Sequence, residues 1–179
     1  HDQLAILVDG LLYNVDELHP NLPGNMGMFL HYWDDYFPLA SAAEIAIKER
    51  SFLRNRGIPF DSVSVLPPVP FTVSLRYGFG FQQSLSGPHT DAGKVAPLLS
   101  FGNHQAVKSS GDIECMPDHL ARLDFELQAA VVICRPGRNI ASETAEHYIG
   151  GLMIMNNFCA RALQNSLNFS GMGDIKVVD

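Results

Sequence analysis

What this chain lacks narrows its chemistry first. Charged residues fill only 17% of its 179 positions, against about 25% in an ordinary soluble domain. With 46% apolar residues, its composition is not that of a disordered chain, which is charge-rich and apolar-poor. Lysine and arginine total 12 against 19 acidic residues, a net charge of −7. They never form a run, so nucleic acid and anionic membrane are excluded as expected partners. Cysteine is scarce: Cys115, Cys134 and Cys159 lie far apart. No Cys-x-x-Cys pair exists, which argues against a zinc ribbon or a thioredoxin-like redox motif. An odd count without framework spacing fits a reducing compartment, and a cytoplasmic location is expected. No apolar run approaches the ~18 residues that a membrane span needs. The chain begins at His1, so a trimmed or processed start is expected. No cationic start precedes an apolar core there, so the first residues do not read as a signal peptide.

What is present suits one domain with a small extension. A globule of this size buries roughly 70% of its unfolded surface and needs no disulfide or metal to hold a core. Residues 4–8 are apolar and end at Asp9-Gly10. Leu11 to Val15 follow, so a β-hairpin is expected. Residues 19–25 read as a loop from their prolines, glycine and asparagines. Met26 to Arg56 reads as helix, interrupted near Pro38, with Glu44 and Lys48 in the favourable i,i+4 order. Gly57 and Pro59 are the expected stop. Residues 60–75 carry Pro67, Pro68 and Pro70, which limit any strand to an edge or split it. Gln82 to Lys94 reads as a loop, and Val95 to Phe101 is apolar again. From Leu123 apolar and polar residues alternate, which predicts a strand to Cys134 whose end, Ala129 to Ile133, is fully buried. Ser142 is the expected cap of a short helix, and Gly150 to Met155 a further strand. The predicted class is α+β, mainly β.

Several weaker constellations have plain explanations. Ser84, His89 and Asp91 hold the residue types of a hydrolytic triad, but such triads are assembled in space, and three polar residues in a Gly-Pro loop are simply a loop. His31 with Asp34 and Asp35 reads as a solvated helix face rather than a metal cluster. Trp33, with Tyr32, Tyr36 and Phe37, reads as core or subunit packing, with a lid as the sharper alternative. Cys159 reads as buried packing.

Three segments carry a resemblance. The first is Leu123-Asp124-Phe125-Glu126-Leu127-Gln128, continuing to Ile133. The second is Arg135-Pro136-Gly137-Arg138-Asn139-Ile140, followed by Glu143, Ala145 and Tyr148-Ile149-Gly150-Gly151. The third runs from Met155-Asn156-Asn157-Phe158 to Gln164. In this order they resemble the fumarylacetoacetate hydrolase family, whose matching segments carry E-x-E and M-N-D-x-S-A-R-x-x-Q. Upstream, Leu75 to Ser84 resembles the family's D-x-x-x-x-x-x-H segment, and Phe101-Gly102-Asn103-His104 its pocket-side strand. The resemblance implies a β-roll, incomplete in this chain, over residues 66–179. An N-terminal α/β extension, a hairpin plus helices, would fill 1–65. It also implies hydrolysis of a carbon–carbon bond in a β-dicarbonyl acid, or a related decarboxylation, isomerisation or hydration. In the family four carboxylates hold a magnesium or calcium ion that chelates the substrate, and a histidine activates water.

Carried over position by position, that machinery is largely replaced. Tyr77 stands at the first aspartate, Ser84 at the histidine, Gln128 at the second glutamate and Asn157 at the last aspartate. Only Glu126 is kept. One carboxylate with two amides and a phenol makes a poor site for a hard divalent cation, so no metal or other cofactor is expected. Magnesium or calcium would return only if the mapping fails. Glu126, Gln128, Asn157, Arg161 and Gln164 are the expected substrate-binding residues. Tyr77, Ser84 and Lys176 are the candidates for metal-free acid–base work. The family's roll normally continues past the M-N-D segment. A complementary C-terminal chain or subunit is therefore expected to complete it, within a homo- or hetero-oligomer, since open strand edges invite pairing. The leading expectation is a metal-independent enzyme acting on a β-dicarbonyl or polyketide-like small molecule. The alternatives are a non-catalytic pseudoenzyme subunit that stabilises or regulates a partner, and a conventional metal-dependent C–C hydrolase.

Overall fold

The computed structural model describes residues 2–70, 72–78, 99–111 and 124–160. It divides into two compact units, His1–Phe71 with Ala129–Ile154 and Thr72–Gln128 with Met155–Asp179. The described residues are mixed helix and sheet, with the strands in small sheets.

In the first unit, β1 (Ala5–Val8) and β2 (Leu11–Asn14) form the expected antiparallel hairpin. Its turn has φ of 49° at Asp9 and 80° at Gly10. Two successive left-handed residues match the right-handed twist of the strands. Asn14 accepts from the Asp16 N–H and so caps a short helix, α1 (Val15–Leu18). Asn25 caps α2 (Met26–His31) in the same way, through the Met28 N–H. The long α3 (Trp33–Glu49) and short α4 (Ser51–Arg54) follow. β3 (Ile58–Pro59) then pairs with β2 at the edge of the sheet, a position where proline costs no ladder bond. Gly57 is required by close packing, because a Cβ there would lie 2.7 Å from Leu11 Cβ and 2.8 Å from the Tyr13 ring.

The expected break at Pro38 does not occur. Pro38 lies inside α3, and the helical run breaks instead at Tyr32 and Arg50. Proline there forfeits the intrahelical bond to the Asp34 carbonyl, and the packing of α3 outweighs that loss. That packing is substantial. Val15, Leu22, Phe29 and Ala43 form one buried cluster, with Trp33, Tyr36 and Leu39 against it. Val8, Tyr13 and Ile47 form another. Phe29 meets Trp33 edge-on at 5.6 Å, and Trp33 stacks on Phe37 at 4.7 Å. Trp33 and Tyr36 thus have the packing role expected of the aromatic group, while Tyr32 and Phe37 are about half exposed. Beyond β3, residues 60–70 contain only a 3-10 turn at Phe60–Ser62 and no strand.

Two long strands, β6 (Asp124–Ile133) and β7 (Ile149–Cys159), pair with each other. The Cys134 N–H donates to the Tyr148 carbonyl at their connection, 3.0 Å. The expected burial of Ala129 to Ile133 is not found. Alternation continues to the strand end, and Val131 and Ile133 are exposed, because among the described residues β6 has only β7 beside it. In the connection a 3-10 helix spans Ser142–Tyr148. Its cap residue is Ala141, not Ser142, whose hydroxyl donates to Glu143 instead. Asp34 is not a freely solvated residue either. Arg135 Nε donates to its Oδ1 at 2.8 Å, and the same guanidinium bonds the His147 carbonyl. Trp33 also lies close under Gly150, where an added Cβ would be 3.4 Å from its ring.

The second unit contains β4 (Leu75–Gly78) and β5 (Leu99–Gly102), antiparallel, with Tyr77 opposite Ser100 and Leu75 opposite Gly102. The Arg76 guanidinium covers the Phe101 ring at 3.9 Å.

Two outcomes follow. Ile47 is fully buried, so Ile47→Ala is expected to cost about 2–5 kcal/mol through lost burial and a cavity, read from urea denaturation. The Arg135 guanidinium holds the Asp34 carboxyl below its usual range. A carboxyl lowered on folding adds stability above its unfolded pKa and loses it as pH falls through the folded value. Asp34→Asn should therefore melt slightly below the parent at neutral pH, with the gap closing in acid. An unchanged gap at strongly acid pH would contradict this role for the pair.

Candidate functional site

Strand geometry assembles the site. Successive side chains of a strand point to opposite faces, so Glu126 and Gln128, two apart on β6, share one face. Gln128 Nε2 donates to Glu126 Oε2 at 3.0 Å. Asn157, on β7, donates from Nδ2 to the same oxygen at 3.1 Å. Asn157 is 8% exposed, the one buried polar residue among those described. Its carbonyl end is used as well, because the Tyr77 hydroxyl makes a long contact with Oδ1 at 3.5 Å. That length makes it the weakest link of the group. Tyr77 reaches this place from β4 by leaning diagonally across Gly102 of β5. A Cβ on Gly102 would collide with the Tyr77 ring and come within 2.8 Å of Leu75 Cδ2.

Four of the residues singled out from sequence, Tyr77, Glu126, Gln128 and Asn157, therefore meet in one cluster of the second unit. Ser84, Arg161, Gln164 and Lys176 lie outside the described residues, as do His89 and Asp91. Sequence reasoning did not identify Gly102 as the support of Tyr77. Its signal was available only as a glycine in a short apolar strand. Cys159 is fully buried, in keeping with packing. In the first unit an open groove of about 720 Å³ runs past Trp33, Phe37, Arg135, His147 and Tyr148. Its arginine is already committed to Asp34 and a backbone carbonyl.

The opposite side of β6 is apolar and uncovered. Phe125 is 63% exposed and Leu127 69%, and Val131 and Ile133 extend the row. On β7, Leu152 and Ile154 are 74% and 79% exposed, and their parity sets them opposite Asn157.

Residues 81–176 match the family model described as fumarylacetoacetate (FAA) hydrolase C-terminal. The chain belongs to the fumarylacetoacetate hydrolase family. An uncharacterised protein of Archaeoglobus fulgidus is 30% identical over 110 residues, which are 60% of this chain and 42% of that protein. A crystallised Mycobacterium smegmatis protein with the provisional name HpcE superposes with a TM-score of 0.63 at 16% identity. The match covers 91% of this chain and 55% of that one, and at such identity it speaks for the fold alone. The chain thus spans about half the length of the relatives it matches.

The family's divalent cation can be tested against these side chains. Hard cations take several oxygens, most of them anionic. The cluster offers one carboxylate, and both neighbouring amides turn their N–H groups toward it. No group of three or more His, Cys, Asp or Glu able to hold a metal occurs among the described residues. The donor set of the described residues does not fit the ion.

Among the described residues no helix is long and apolar enough to cross a membrane. Asn157→Ala is expected to cost about 1–3 kcal/mol, because it withdraws a donor from a half-buried carboxylate and opens a small gap. Chemical denaturation of the two proteins measures it.

Proposed function

We propose that this chain is part of a metal-independent enzyme that acts on a β-dicarbonyl or polyketide-like small molecule. The observation that carries the reading is the Glu126–Gln128–Asn157 cluster with the Tyr77 hydroxyl at its edge. It puts a carboxylate, two amides and a phenol together, and the resemblance matches these four to the family's metal ligands. Glu126, Gln128 and Asn157, with Arg161 and Gln164, would bind the substrate's oxygens. Tyr77, Ser84 and Lys176 would move protons, with an enolate stabilised by hydrogen-bond donors in place of a metal. Residues 1–65 would be an extension and 66–179 the first half of a β-roll.

The uncovered apolar row on β6 and β7 supports a further part of the proposal. Exposed apolar patches of this kind mark surfaces that other chain covers. A complementary C-terminal chain or subunit supplies those strands, and the complete protein is an oligomer placed in the cytoplasm. A pseudoenzyme subunit is the second reading. It is favoured by the way Glu126 has its donors supplied from within the cluster.

Acylpyruvate cleavage by the assembled protein tests both. Turnover should persist in EDTA and fall about a hundredfold in Tyr77→Phe, as loss of a general acid or base does. Loss of activity in EDTA would return the conventional metal-dependent reading. Equal turnover in Tyr77→Phe and Lys176→Ala would leave the chain without a catalytic role. Intact mass of the purified material tests the partner, and a soluble monomer of this chain alone would defeat it.

A further inference from the structure

We infer that the N–H groups of Gln128 and Asn157 occupy the role of a divalent cation at Glu126, and that two isosteric substitutions would restore an ion site there. The inference rests on the metal-free reading above and deepens it. Both amides converge on a single oxygen, Glu126 Oε2, at 3.0 and 3.1 Å. Two N–H donors on one carboxylate oxygen set partial positive charge directly against it.

For a cation to enter, both amides must turn over and present their carbonyl oxygens. Turning Asn157 would remove its donor from Glu126 and set its N–H2 against the Tyr77 hydroxyl, which now contacts Oδ1. An entering ion would thus break two charge-assisted bonds and gain one anionic ligand among the described residues. Each amide differs from the matching carboxylate by one N–H2 group in place of oxygen. Gln128→Glu and Asn157→Asp would convert that inward-facing donor pair into acceptors at nearly unchanged shape. Three carboxylates would then converge where one stands now. At such distances like charges cannot all stay ionised without a counter-ion, and carboxylate oxygens suit magnesium, calcium and manganese. Asn157 is nearly buried, so an aspartate there is costly when unpaired. The variant's stability should therefore depend on metal, as it does for any ligand that binds only the folded state.

The experiment titrates Mn²⁺ into the full chain and into its Q128E/N157D variant, by calorimetry and by thermal melting. The parent should show no saturable micromolar site and no upward shift in melting temperature. The variant should bind Mn²⁺ about a hundredfold more tightly than the parent, consistent with affinity set by ligand charge. It should melt lower than the parent without the ion and recover with it. Micromolar Mn²⁺ binding by the parent that disappears in Glu126→Ala would overturn the inference. So would a folded variant that binds no more tightly than the parent. Should the variant fail to fold even with Mn²⁺, NMR of the parent decides. Its Gln128 and Asn157 side-chain N–H2 signals should be unmoved by Mg²⁺, and a saturable shift at sub-millimolar Mg²⁺ would overturn the assignment. A lack of acylpyruvate turnover sinks the enzyme reading and leaves these binding results unaffected. A failure to gain Mn²⁺ sinks this inference without touching turnover.

Discussion

The pairing of β6 with β7 is the constraint on which both the polar cluster and the apolar row depend. Once the strands pair, alternation gives each residue one of two environments. Glu126 and Gln128 fall on the side that Asn157 shares, where a half-buried carboxylate has to be met by donors. Phe125 and Leu127 fall on the other side, which no described residue covers. A one-residue slip of β6 would exchange these environments. It would put a carboxylate in the apolar row and phenylalanine against Asn157. Polar satisfaction on one face and apolar patterning on the other therefore specify the same register.

In the first unit, the connection between these strands is held by a different kind of contact. Arg135 reaches Asp34 at the start of α3 and the His147 carbonyl. Trp33, one residue before Asp34, packs on Phe29 and Phe37 and lies close to Gly150. Apolar packing supplies most of this attachment, since an exposed ion pair contributes little. The pair orients the turn. The burial of Cys134 beside it pushes that thiol's pKa up, which keeps it in the inert, protonated form.

Much of this was legible in the residues. Asp9-Gly10 between two apolar runs specified a hairpin with a left-handed turn, and both residues have positive φ. The alternation from Asp124 specified β6. The resemblance to the family's motifs implied that Glu126, Gln128, Asn157 and Tyr77 form one group. The misreadings share a physical origin. Pro38 was expected to break a helix, but whether proline does so depends on what the helix packs against. Ala129 to Ile133 was expected to be buried because it is apolar, but burial depends on a neighbour, and among the described residues β6 has one strand beside it. Ser142 has the residue type of a cap, but its hydroxyl found Glu143 first.

Sequence alone determined the local conformations and the chemical types available at the site. A two-residue turn needs left-handed backbone wherever it occurs, and an amide cannot carry a carboxylate's charge. Tertiary structure decided which way those groups face. Only the approach of β7 to β6 brings Asn157, some thirty residues away in sequence, to the same oxygen as Gln128. Only the bare backbone of Gly102 lets Tyr77 lean over it. Hydrogen-bond direction is a property of placement in space, and that direction turns two neutral side chains from possible ligands of an ion into donors that take its place.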